Sequence, residues 1–114
     1  AAAAPQPASL RAACKPPGMP VHACGRYHQN TLFAALRLPP LLQPKPYAVH
    51  RLDRLTSGVV LYCTSGAAAR QVGGAVEGRR LQKLYLALVR GRLLPAGGTR
   101  LLRLPVWTDR SGRA

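Results

Sequence analysis

Asp53 is one of only three acids in a chain of 114 residues that carries 17 lysines and arginines. It lies within His50-Arg51-Leu52-Asp53-Arg54-Leu55-Thr56-Ser57-Gly58, between Arg51 and Arg54. Opposite charges that close favour the ionised carboxyl, so the spacing predicts a carboxylate kept charged at neutral pH. Carried just ahead of a Thr-Ser-Gly turn, such a group can act as a nucleophile or as a base. The competing reading makes Asp53 a structural partner of Arg51 or Arg54. Thr56 and Ser57 are expected to satisfy backbone groups in the turn. His50 is expected to hold the loop by a hydrogen bond and not to serve as a general base.

Several elements must position that stretch. Val59 to Cys63 is apolar on both alternating faces, as in a central strand covered on two sides. Tyr47-Ala48-Val49 reads as a short strand that delivers His50. Leu84 to Val89 predicts another strand, with Lys83 and Tyr85 on one face and Leu84, Leu86 and Leu88 on the other. Leu101 to Val106 is a further strand candidate. Asn30 is a suitable N-cap for a helix over residues 31–37 that Pro39-Pro40 ends, and Ser65 for a helix over 66–79. Ala68, Val72, Ala75 and Val76 share one face of the second helix, while Gly73 and Gly74 weaken it by roughly 1 kcal/mol each.

Residues 1–13, rich in Ala and Pro, read as a disordered lead-in, leaving 14–114 as one domain. Lys15-Pro16-Pro17-Gly18 should be an extended loop in which Gly18 takes positive φ. Lys15 at its mouth is either a solvated lysine or a phosphate contact. The pattern predicts an α+β fold, with a mixed, mainly antiparallel sheet and flanking helices. Too few strands are present to complete the sheet.

The formal net charge is +14 and the pI about 11.5. Self-repulsion on that scale destabilises a compact chain unless a polyanion neutralises it. Nucleic acid suits this charge best, an acidic membrane surface less well, and codon bias is the bland source of the arginines. No run approaches the roughly 18 apolar residues of a membrane span, and no charged segment precedes an apolar one as in a secretory signal. Three cysteines without CxxC spacing point to a reducing, intracellular compartment. Cytoplasm, nucleus and organelle stay open. Cys14, His22, Cys24 and His28 match no structural zinc spacing, so no metal is expected. The chain starts at Ala1 and its single methionine is Met19, so it reads as a processed product or a fragment.

Three blocks together carry a resemblance. Lys15-Pro16-Pro17-Gly18 with Val21-His22, then His50 to Gly58, then Lys83-Leu84-Tyr85-Leu86-Ala87-Leu88-Val89-Arg90-Gly91 resemble the RluA-type pseudouridine synthases, in that family's order. The wording Pro20-Val21-His22-Ala23-Cys24-Gly25-Arg26 is most similar to its eukaryotic branch. The resemblance implies isomerisation of uridine within tRNA or rRNA, without metal or organic cofactor; the oligomeric state stays open, with a monomer favoured. It implies Asp53 as the catalytic residue, Arg51 as support for the flipped nucleotide and Tyr85 as the ring against uracil. Arg54 and Lys83 join them as RNA-binding candidates. Extracting a base from the stack takes a few kcal/mol, and a cation and an aromatic ring at the site both lower that cost. The family's later Gly-Arg-Thr/Ser-His-Gln-Leu-Arg block, whose first arginine is expected to pair with the aspartate, is absent from the sequence. The chain therefore reads as an N-terminal portion of the catalytic domain, with little activity alone. A catalytically inactive RNA-binding module and a basic ribosome-associated protein are the alternatives.

Overall fold

The computed structural model describes residues 9–91 and 97–105. Two compact units divide the chain, residues 1–83 and 84–114.

The first unit is built on strand β3, Gly58–Cys63. Strand β1, Leu10–Lys15, runs antiparallel along one edge, from Leu10 opposite Cys63 to Lys15 opposite Gly58. Strand β2, only Tyr47–Ala48, pairs antiparallel along the other, with Tyr47 opposite Cys63. The order β1-β3-β2 puts β3 in the centre, as its apolar sequence predicts. β1 is a correction, because Leu10 to Ala13 fall within the expected lead-in. Small side chains such as Ala12 and Ala13 say little about burial, but the backbone of β3 needs a partner on that edge.

Side chains alternate across a strand, so β3 serves two cores. Val60 and Tyr62 join Val21, Leu52 and two leucines of helix α1, Leu32–Arg37. Phe33 of α1 sets its ring 5.9 Å from that of Tyr62, tilted by 59°. On the other face, Cys63 packs with Ala68 and Val72 of helix α2, Gly66–Glu77. The expected two-sided cover is incomplete, however, because Val59 is exposed near the start of the strand.

Ser65 caps α2 as expected, its Oγ accepting from the Ala68 N–H at 3.2 Å. The α1 cap is one residue later than predicted: Thr31 Oγ1 accepts from the Ala34 N–H at 3.2 Å. Thr31 is 2% exposed and Asn30 lies outside. The Leu32 and Phe33 N–H groups donate to the carbonyls of Pro20 and Val21, so the loop before α1 satisfies donors a helix start leaves unpaired.

In the second unit the predicted strand over Leu84 to Val89 does not form; no strand is assigned there. Leu84, Leu86 and Leu88 are 97%, 102% and 103% exposed. Alternation predicts a strand only if another strand and an apolar layer receive it, and the described residues supply neither. Leu101 to Pro105 is likewise not a strand, and Val106 lies outside the described residues.

Candidate active site

The segment His50 to Gly58 is anchored at both ends and in the middle. β2 stops at Ala48, so the Leu61 N–H of β3 has no strand partner on that side. It donates instead to Nε2 of His50 at 2.9 Å, which makes His50 the structural ligand the sequence suggested. The bond requires Nε2 unprotonated. Burial pushes the His50 pKa down, against an opposing contribution from the Arg51 backbone, and the positive charge of Lys83 lowers it further; the net lowering favours the accepting form.

Leu52 is buried in the first core. Its neighbours Arg51 and Asp53 are exposed, as alternation along extended backbone requires. Burying a leucine is worth about 1.5–3 kcal/mol, so one inward side chain holds the two polar ones outward. The chain then turns at Arg54-Leu55, where the Thr56 N–H donates to the Asp53 carbonyl at 3.1 Å. The turn thus precedes the expected Thr-Ser-Gly position. Gly58 re-enters the sheet at φ +133°, a backbone that side chains resist.

Lys15 corrects both sequence readings, since it is neither solvated nor free for phosphate. It is 0% exposed, and Nζ donates to the carbonyls of Pro16 (3.0 Å), Met19 (2.7 Å) and Arg54 (3.1 Å). The Gly18 N–H donates to the same Arg54 carbonyl at 2.8 Å, with Gly18 at φ +86° as expected. The proline loop is therefore clamped to the peptide immediately after Asp53. Burial lowers the Lys15 pKa while the charge of Asp53 raises it, so the ammonium and the carboxylate sense one another.

Asp53 forms no ion pair among the described residues, so the expected contacts with Arg51 or Arg54 are not made. The reason is geometric. Arg51 faces a recess that it lines with His22, Cys24 and Tyr27, and Arg54 lies over the Tyr27 ring at 6.0 Å. Arg26 lies over the same ring at 5.5 Å. A hydrogen bond from Arg26, then the charge of Arg54, lowers the Tyr27 pKa. Arg51, Asp53 and Arg54 thus share one loop, and Lys83 reaches its start through its field at His50. Tyr85 belongs to the second unit and is 56% exposed. The sequence reading missed Tyr27; its signal was the turn-forming Cys24-Gly25-Arg26-Tyr27.

Among the described residues no three His, Cys, Asp or Glu side chains gather as a metal site would require. None of the described helices is long and apolar enough to cross a membrane.

The family profile described as RNA pseudouridylate synthase matches residues 10–110. The chain is 41% identical over 78 residues to RNA pseudouridine synthase 7 of Oryza sativa subsp. japonica, covering 68% of this chain and 20% of that protein. It is 39% identical over 77 residues to human pseudouridylate synthase RPUSD2, covering 68% and 14%. Against tRNA pseudouridine synthase C of Haemophilus ducreyi it is 39% identical over 83 residues, covering 73% and 34%. The chain therefore spans about a third or less of the length of these relatives. With the profile matching across both the Asp53 loop and the sheet that anchors it, the chain belongs to the RNA pseudouridylate synthase family.

Proposed function

We propose that this chain supplies the aspartate-bearing part of an enzyme that isomerises uridine within RNA to pseudouridine. The N1–C1′ bond breaks, the uracil turns, and a C5–C1′ bond forms. The proton on C5 leaves and N1 gains one, so the balance requires no oxidant or reductant. Asp53 acts as the carboxylate at the glycosidic bond. Arg51 supports the nucleotide drawn out of the stack, and Tyr85 packs against the uracil. Arg54 and Lys83 contribute positive charge for the RNA backbone.

The observation that carries this reading is an exposed carboxylate on an anchored loop within a strongly cationic chain. Leu52, the residue before Asp53, is buried in the core, and Lys15 holds the carbonyl of Arg54, the residue after it. Asp53 is in no ion pair among the described residues, which leaves it available to a substrate. The names of the Haemophilus protein and of the Saccharomyces cerevisiae relative, tRNA pseudouridine(31) synthase, make tRNA the first substrate class to assay. Ribosomal RNA is the second.

The test is tritium release from [5-³H]uridine-labelled RNA by the complete enzyme that this chain is proposed to be part of, and by its Asp53→Asn variant. Loss of release with RNA binding retained is the expected result. Equal release from both proteins overturns the role of Asp53. RNA binding without release by the unaltered protein favours the non-catalytic module.

A further inference from the structure

We infer that Arg26, Tyr27 and Arg54 form a seat for one phosphodiester of the RNA, next to the nucleotide that Asp53 would act on. This rests on the reading of the protein as an RNA-modifying enzyme and deepens it, joining Arg26 and Tyr27 to the Arg54 already named there.

The seat is built from two segments distant in sequence. Cys24 and Tyr27 close a tight turn, each N–H donating to the other's carbonyl at 3.0 Å. The first central residue, Gly25, takes φ +51°, a conformation that glycine supplies readily. The turn places Arg26 at the surface with Tyr27 half-buried behind it. From the other segment, the Asp53–Thr56 turn delivers Arg54 to the same ring. Both guanidinium carbons thus lie within 6.0 Å of the Tyr27 ring centre.

Two like charges gathered around one ring repel each other unless an anion lies between or beside them. No described carboxylate pairs with either arginine. Contact with the ring also restricts each side chain before ligand arrives, which reduces the ordering cost of binding. Arg51 faces the adjoining recess, so a third cation borders the same place.

Charge selects the ligand group. The adjoining recess, at about 90 Å³, is smaller than the ~150 Å³ cavity that accepts benzene, so it adds no evident room for a nucleobase beside the arginines. Guanidinium forks match phosphate oxygens in charge and geometry. The neighbouring Asp53 then fixes which phosphate this is: one flanking the target uridine.

The test measures binding of the intact protein to single-stranded RNA in which each phosphate around a central uridine is replaced in turn by a neutral methylphosphonate. One flanking replacement is expected to raise Kd about tenfold for the unaltered protein. The same replacement should have no effect on the Arg26→Gln, Arg54→Gln double variant, whose Kd is already raised. Arg26→Gln alone, on an exposed turn, should show reduced sensitivity at that linkage only. Equal sensitivity of the unaltered and double-variant proteins at every linkage overturns the seat. Absence of any salt-dependent RNA binding by the unaltered protein overturns the functional reading itself.

Discussion

Lys15 and His50 show how single buried polar groups hold the loop that carries Asp53. Lys15→Met preserves length and removes the ammonium, leaving the carbonyls of Pro16 and Met19 without that donor. Hydrogen bonds to a charged group are worth about 1.5–3 kcal/mol, so the variant should lose roughly 2–4 kcal/mol of stability. A fall in the urea midpoint at unchanged m-value checks this. His50 makes the opposite demand, because its Nε2 must stay unprotonated to accept from Leu61. Its folded pKa lies below the unfolded value of about 6.5. The unfolded chain therefore binds more protons between those two values, and folding stability drops as pH falls through that window. Above about pH 6.5 the contribution is fully present. His50→Gln should flatten this part of the Tm-versus-pH curve relative to the unaltered protein, measured from pH 7.5 down to 5; superimposable slopes would remove His50 from the account. Asp53, Arg51 and Arg54 stood out in the sequence because their types and spacing suit chemistry. Lys15 did not show its role there, because the carbonyls that hold it come from three residues, one of them 39 positions away.

At the scale of elements, what the sequence expressed locally was legible and what depended on distant partners was not. Ser65 and the apolar face through Ala68 and Val72 placed α2 correctly, since a cap and a 3.6-residue period are local signals. The central position of β3 followed from its unbroken apolar run. β1 escaped notice because Arg11, Ala12 and Ala13 show no alternation, and its pairing comes from β3. Leu84 to Val89 erred in the other direction: alternation was strong, yet the described residues provide no strand to receive it. The α1 cap was displaced because burial decided between two competent neighbours, Asn30 and Thr31. That distinction is testable. Thr31→Ala should cost about 1–2 kcal/mol through the lost cap, whereas Asn30→Ala should stay within about 0.5 kcal/mol of the unaltered protein. Thermal or urea unfolding of the pair reads this directly, and the reverse ranking would return the cap to Asn30.

The whole molecule combines a net charge of +14 with a candidate carboxylate that has no ion pair among the described residues. These features separate binding from turnover. Binding depends on summed charge, so this 114-residue polypeptide should bind RNA with steep salt dependence; a protein making 6–10 phosphate contacts loses ~10³–10⁵ in affinity between 50 and 200 mM salt. In the proposed reaction, turnover would depend on preorganised groups around Asp53 as well. The resemblance implies that an arginine from a Gly-Arg-Thr/Ser-His-Gln-Leu-Arg block faces the aspartate, and the sequence contains no such block. Arg51 and Arg54 are no substitutes, since one borders the recess and the other is engaged with Tyr27. The exposed leucines at 84, 86 and 88 point the same way, because no strand among the described residues receives the segment that carries Tyr85. The polypeptide prepared alone should therefore shift labelled RNA at low salt but release no tritium from [5-³H]uridine-labelled RNA above the background of its Asp53→Asn variant. Release above that background would show that the groups around Asp53 in this chain are sufficient for the isomerisation.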